Sequence, residues 1–203
     1  MGDFNKHRSR LMEEYGVKEL NDDSREDYKE QTNNTMALNK VTIPKALPTD
    51  VEEILNERLG DEYTAYYFYR NAANWCKNVN YKKAASFFNS EAEGELGHAQ
   101  GIQDYITQWN LIPEIPQVTT SYKFSSLVDI INKAYELEYN LLQKYSTNQK
   151  ELDALHPATF NFIQKYVDIQ NGEVEEYSDF LNALQLVDAN NKFEVLYFEN
   201  TYF

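Results

Sequence analysis

Apolar residues recur at intervals of three and four along four long stretches of the chain, the spacing of one buried helix face. The first stretch, between Asp50 and Cys76, carries Leu55, Leu59, Tyr66, Tyr69 and Ala73. The second carries Ala84, Ala85, Phe88, Ala92, Ala99, Ile102, Tyr105, Ile106 and Trp109. The third carries Leu127, Ile131, Ala134, Leu141 and Tyr145, and the fourth Ile163, Val167, Val174, Tyr177 and Leu181. Local signals bound these helices. Thr49-Asp50-Val51-Glu52 has the form of a capping box at the start of the first. The second runs from near Asn80 to about Asn110, where Pro113 and Pro116 begin a crossover through Tyr122. Ser126 caps the third, which ends near Leu152, and His156-Pro157 opens the fourth, with proline suited to a first turn. The fourth ends near Leu186, Asn190-Asn191 makes a turn, and Phe193–Phe203 reads as a short aromatic tail. With no strand and no internal repeat evident, the expected fold is all-α. The pattern predicts a four-helix bundle with a long crossover between helices two and three, long enough to span the bundle.

Each stripe is broken by a polar side chain where a core residue belongs. Glu62 interrupts the first, Glu95 and His98 the second, and Glu138 the third, while Gln170 and Glu173 lie on or beside the fourth. A carboxylate buried without a partner costs several kcal/mol. Four helices with the same interruption predict a shared site. Glu95-Leu96-Gly97-His98 is a Glu-x-x-His, and residues three apart on a helix share a face with about 5–6 Å between their Cβ atoms. Inward-facing Glu residues plus Glu-x-x-His are the donor set of di-iron carboxylate sites in bundle cores. Hard carboxylates with an imidazole suit Fe(II), and anionic ligands stabilise Fe(III).

Composition adjusts this picture in four respects. The length of 203 residues suits one domain with an extension. Residues 1–47 hold eight Lys/Arg against nine Asp/Glu, whereas residues 48–203 hold eleven against twenty-four. With the polar run Gln31–Asn39 and the prolines Pro44 and Pro48, this divides the chain into an N-terminal extension, 1–47, and a bundle, 48–203. The extension is expected to be partly disordered, with a helix around Ser9–Leu20. A net charge of −14 argues against nucleic-acid backbone binding and for attraction of cations. Cys76 is alone, no apolar run approaches a membrane span, and no signal peptide is evident, so a cytoplasmic protein without membrane contact is expected.

The order Glu62, Glu95-x-x-His98, Glu138, Gln170-x-x-Glu173 resembles that of the ferritin family, specifically its non-haem prokaryotic type. The likeness covers roughly residues 48–200 and includes Leu55-Asn56-Glu57, Tyr69, Trp75-Cys76, Thr159-Phe160-Asn161-Phe162 and Leu196-Tyr197-Phe198. Bacterioferritins and rubrerythrin-like proteins would place a second Glu-x-x-His in the fourth helix, where this chain has Gln170-Asn171-Gly172-Glu173. The resemblance implies a ferroxidase that oxidises Fe(II) with dioxygen or peroxide and stores iron as a ferric mineral. It implies that Glu62 and His98 hold one iron and Glu138 and Glu173 the other, with Glu95 bridging. Gln170 would stand beside the second iron, as a ligand or as a hydrogen-bond donor. Tyr69 would lie next to the centre as a hydrogen-bonding or electron-donating residue. The acids of a third iron site are replaced by Gly94, Ile169 and Gly172, so that site is expected to be lost or reduced to a remnant on Glu173.

Family members are homo-oligomers that close into a twenty-four-subunit cage, with a fifth helix at the four-fold axis. Here only a stub of that helix is expected before Phe203, which leaves an altered or open assembly as an alternative. Glu151 and Asp153, near the turn into the fourth helix, form either a cation-feeding or a solvated acidic loop. Gly60, Gly94, Gly97, Gly101 and Gly172 lie near the proposed ligands, consistent with close helix approach or ligand mobility. Two other readings share the donor set. One is a di-iron oxidase or peroxidase without mineral storage, and the other a structural or cargo protein with a vestigial centre.

Overall fold

Most of the described helix ends are tied off by an identifiable group, and the ties come from different parts of the sequence. The structure, a computed structural model, describes Thr42 and residues 44–119 and 122–203. The helix expected around Ser9–Leu20 and all but the last few residues of the 1–47 extension lie outside the described residues. Within them the helices are α1 Thr49–Asn78, α2 Lys82–Gln108, α3 Leu127–Leu155, α4 Pro157–Leu184 and α5 Lys192–Tyr202. No strand occurs among the described residues.

α1 and α2 both end in Schellman motifs. Asn80 (φ 70°) and Asn110 (φ 62°) take the left-handed conformation that closes each helix. At the first, Tyr81 N donates to Cys76 O at 2.9 Å and Asn80 N to Lys77 O at 3.3 Å. At the second, Leu111 N donates to Ile106 O at 3.4 Å and Asn110 N to Thr107 O at 3.0 Å. The start of α3 is as expected, with Ser126 Oγ accepting from Asp129 N at 3.0 Å. His156 caps α4 by accepting from Thr159 N at 3.3 Å, and its ring packs edge-on against Trp109. The capping box expected at Thr49 does not form. Pro48 occupies the cap position with no side-chain bond, because the helix already includes Thr49.

α1 pairs with α2 and α3 with α4, and α1 also packs on α3. The crossover between α2 and α3 runs along α1. Glu114 N donates to Asn56 Oδ1 at 2.9 Å, Tyr122 OH reaches Thr64 O at 3.5 Å, and Phe124 packs edge-on against Phe68. The chain therefore re-enters the bundle at its far end, and α3 runs antiparallel to α1. The core is two apolar clusters. One gathers Phe68, Tyr69, Phe88, Ile130, Tyr177 and Phe198, the other Val51, Leu55, Leu59, Ile102, Tyr145 and Ile163.

The buried stripes differ in detail from the expected ones. On α4 the buried line runs through Ile163, Tyr166, Gln170, Tyr177, Phe180 and Ala183. Val167, Val174 and Leu181 are only half-buried at its flank. On α1, Tyr66 is half-buried, while Ala65, Phe68 and Ala72 complete the inner face. The tertiary contact, not apolarity alone, fixes the centre of each stripe.

The expected aromatic tail is a helix. α5 is initiated by Asn191, whose side chain accepts from Phe193 N and Glu194 N. Phe198 and Phe203 pack into the first apolar cluster. The buried Glu199 Oε1 accepts from Lys83 N at 2.7 Å and Ala84 N at 3.1 Å. α2 has no side-chain cap of its own, so α5 supplies both the acceptor and a negative charge at that N-terminus. Glu199→Ala is therefore expected to lower stability by about 1–2 kcal/mol, read from thermal unfolding. Glu199→Gln should recover part of that loss, since it keeps the acceptor.

Candidate metal centre

At mid-height of the bundle, between the two apolar clusters, the stripes deliver polar side chains to the interior. Glu62 and Glu138 are fully buried, and Glu95 and Gln170 nearly so. Glu62, Glu95 and His98 each offer one ligand atom, and these atoms lie within 4.8 Å of one another. His98 Nδ1 is 3.1 Å from Glu95 Oε2 and 3.5 Å from Glu62 Oε2. Glu138 faces this group from α3. Its Oε1 accepts from Tyr69 OH. The Gln170 amide takes the orientation in which its nitrogen donates to Glu138 Oε2 at 3.0 Å and to Glu138 O at 3.2 Å.

Glu173 is half-buried and groups with Glu91 and Glu176, again with ligand atoms within 4.8 Å. It remains close enough for its charge to act on Glu138 and His98. Gly94, Ile169 and Gly172, at the positions expected for the acids of a third site, are exposed. Glu91 and Glu176 stand beside Glu173 instead, entering from three or four residues away. Neither was singled out from the sequence, because neither interrupts an apolar stripe.

The apolar stripe of the third helix predicts a plain core residue at Tyr145. It is fully buried and donates its hydroxyl to Glu62 Oε1. It stacks on Tyr166, whose hydroxyl donates to His98 O at 3.0 Å. That reach needs Gly101, where a Cβ would lie 2.7 Å from the Tyr166 hydroxyl. Close approach thus explains one of the five clustered glycines strongly. At Gly94, Gly97 and Gly172 a Cβ would meet nothing within 4 Å, and at Gly60 only ordinary contact with Pro116.

The electrostatics follow from burial. Burial raises the Glu95 carboxyl well above its ordinary range, and the charges of Glu62 and Glu138 push it the same way. Burial also pushes Glu138 up to about 8, against the opposing hydrogen bond from Tyr69. Burial alone would lower His98, but the adjacent Glu62 carboxylate and the other carboxylates around it reverse this and raise it. Among the described residues no Lys or Arg forms an ion pair with Glu62, Glu95, Glu138 or Glu173. The nearest buried cation, Arg58, pairs with Asp61 at 2.9 Å and lies over the Tyr145 ring. Glu62 Oε2 has no hydrogen-bond partner although fully buried. A buried carboxylate oxygen without a donor, beside an imidazole and a second carboxylate, fits a divalent cation of the hard-to-borderline class. Glu62, Glu95 and His98 would hold one such ion, and Glu138 and Glu173 are the further anionic donors in reach.

The description "ferritin-like domain" fits residues 52–187. The chain is 31% identical over 160 residues to the bacterial non-heme ferritin of Escherichia coli O6:H1, covering 75% of this chain and 92% of that protein. It is 27% identical over 143 residues to the bacterial non-heme ferritin of Campylobacter jejuni, covering 70% and 86%. In three dimensions it is similar to an open-pore ferritin from the hyperthermophilic archaeon Archaeoglobus fulgidus, with a TM-score of 0.71 at 21% identity, covering 76% of this chain and 95% of that one. No helix among the described residues is long and apolar enough to cross a membrane.

A carboxyl that keeps its proton up to about 8 in the folded chain but releases it near 4.5 when unfolded binds more protons in the fold across that window. Stability of the metal-stripped protein is therefore expected to be full below the unfolded value and to fall as pH rises from about 4.5 to about 8. Glu138→Gln should flatten that slope, read from chemical denaturation across the pH range. Divalent metal must displace those protons, so Co(II) binding at pH 7 should release protons measurable with an indicator dye.

Proposed function

Because this chain belongs to the ferritin family, we propose that it takes up Fe(II), oxidises it at the mid-bundle centre and stores it as a ferric mineral. The observation that carries this reading is the polar layer itself. Glu62, Glu95 and His98 bring ligand atoms within 4.8 Å of one another and the buried Glu138 faces them; among the described residues no Lys or Arg pairs with these groups, and Glu62 Oε2 makes no hydrogen bond. In this reading Fe(II) is the substrate. Glu62 and His98 bind one ion, Glu138 and Glu173 the second, and Glu95 lies between them as the bridge. Iron bound there gives up electrons to dioxygen or peroxide.

The side chains around the ligands prepare the site. Tyr69 and Gln170 both donate to Glu138, which fixes the carboxylate and orients its free lone pairs. The donated amide of Gln170 favours its role as a hydrogen-bond donor over that of a ligand. Tyr145 does the same for Glu62. The apolar clusters above and below exclude water and keep the carboxylates close together, so cation binding relieves their mutual repulsion. Storage requires a shell of many copies, and homo-oligomerisation into a cage of the family type in the cytoplasm belongs to the same proposal. The exposed Phe193, Leu196 and Tyr197 on one face of α5 support a contact between copies, in a closed cage or in an open assembly.

Addition of Fe(II) in air tests the reading. Oxidation of many irons per chain with a soluble ferric core, in a particle far larger than one chain by sedimentation, is expected. Uptake of two ions followed by arrest would identify a di-iron oxidase without storage, and oxidation no faster than the buffer blank would refute the proposal. Glu95→Ala should reduce fast oxidation to the blank, because both ions lose a shared ligand. Glu138→Ala should keep binding at the Glu62–His98 half and lose the second ion, as counted by Co(II) titration.

A further inference from the structure

α1 and α3 carry the same short pattern at the centre. Glu62-Tyr63 is followed by Tyr69, and Glu138-Tyr139 by Tyr145, with seven residues from carboxylate to tyrosine in both. Seven residues are close to two helical turns, so each tyrosine lies on the face of its own glutamate. Because the helices are antiparallel, each tyrosine meets the glutamate of the other helix. Tyr69 on α1 donates to Glu138 on α3, and Tyr145 on α3 donates to Glu62 on α1. Both tyrosines are fully buried. Each also stacks on a second buried tyrosine, Tyr69 on Tyr177 (ring centroids 6.1 Å apart, 13° between planes) and Tyr145 on Tyr166 (5.3 Å, 18°).

We propose that Tyr145 is a second oxidisable tyrosine of the centre, the counterpart of Tyr69, and that each supplies one electron when dioxygen is reduced there. This rests on the ferroxidase reading above. Loss of an electron from a phenol is favourable in a dry interior only if the phenolic proton has somewhere to go. At Tyr145 the acceptor is already hydrogen-bonded, because the hydroxyl points at Glu62 Oε1. The stacked Tyr166 offers a second ring over which the hole can be shared.

The electron balance shows why two tyrosines matter. Reduction of one dioxygen to two waters needs four electrons and four protons. Two Fe(II) ions give two electrons and become Fe(III). Tyr69 and Tyr145 each give one electron and one proton, passing the protons to Glu138 and Glu62, and solvent supplies the other two protons. The O–O bond is then fully cleaved and no hydrogen peroxide is left. Two further Fe(II) ions, together with two more protons from solvent, reduce the two tyrosyl radicals back to phenols, so that four Fe(II) and four solvent protons are consumed per dioxygen.

Freeze-quench electron paramagnetic resonance on the full chain, mixed with two Fe(II) per chain and air-saturated buffer, tests this. Wild type should show tyrosyl signal from both sites. Tyr69→Phe and Tyr145→Phe should each keep only the other's share and release hydrogen peroxide, and the double variant should show no tyrosyl signal. The phenylalanine variants keep the ring, and Co(II) binding reports that their centres are folded. As a measurement independent of any variant, peptide mass spectrometry of wild type after repeated turnover should find oxidation at Tyr145 or Tyr166. If wild type oxidises Fe(II) but Tyr145→Phe leaves both the signal and the Fe(II)-to-dioxygen ratio unchanged, Tyr145 only positions Glu62 and the proposal is overturned. If Tyr69→Phe alone removes all signal, it is overturned equally. Failure of wild type to oxidise Fe(II) at all would instead remove the ferroxidase reading on which it stands.

Discussion

Carboxylates held in a dry interior, with one imidazole and, among the described residues, no Lys or Arg paired to them, dominate the physics of this bundle. Glu62, Glu95 and Glu138 meet at a level of the bundle bounded above and below by apolar side chains, and desolvation there penalises their charged forms. A salt bridge with Lys or Arg would satisfy them and leave nothing to bind. The chain instead commits its nearby buried arginine to Asp61 and leaves an oxygen of Glu62 without a donor. The layer is costly as it stands, and in the proposed function a multivalent cation would offset that cost.

The rest of the bundle supports that layer. Two tyrosines hold two of the carboxylates reciprocally across the α1–α3 contact, and Gln170 adds a second donor to Glu138. Charged groups crowded this closely would turn away from one another without such donors. Packing above and below keeps the layer thin. Phe88 and Tyr177 flank Tyr69 as stacked rings, and Tyr166 lies on Tyr145 through the space that Gly101 leaves open. The crossover along α1 also matters, because it makes α3 antiparallel to α1 and so brings matching positions of the two helices face to face.

α5 contributes at a distance. Its Glu199 closes the N-terminus of α2, the helix that carries Glu95 and His98, and its aromatic residues extend the upper cluster. The rigidity of the ligand-bearing helix is thereby linked to the C-terminal segment. An assembly contact on the exposed face of α5 would reach the same helix through that carboxylate.

The division between sequence and structure follows from the range of the interactions. Helix periodicity, the proline-bounded crossover, the cap at Ser126, the proline in the first turn of α4, and Glu62, Glu95, His98, Glu138 and Gln170 as faults in apolar stripes were all legible in the chain. Each is a local pattern, or a polar residue where burial would otherwise exclude it. Glu91 and Glu176 were not legible, since on half-exposed helix faces they look like any solvated acid. Tyr145 was hidden for the opposite reason: a tyrosine in an apolar stripe satisfies the pattern, and only the packing of α3 against α1 shows its hydroxyl seeking Glu62. The capping of α2 by Glu199 and the helical form of the last residues were likewise decided in three dimensions. Their partners lie over a hundred positions apart in the chain, and no local rule couples positions that only folding brings together.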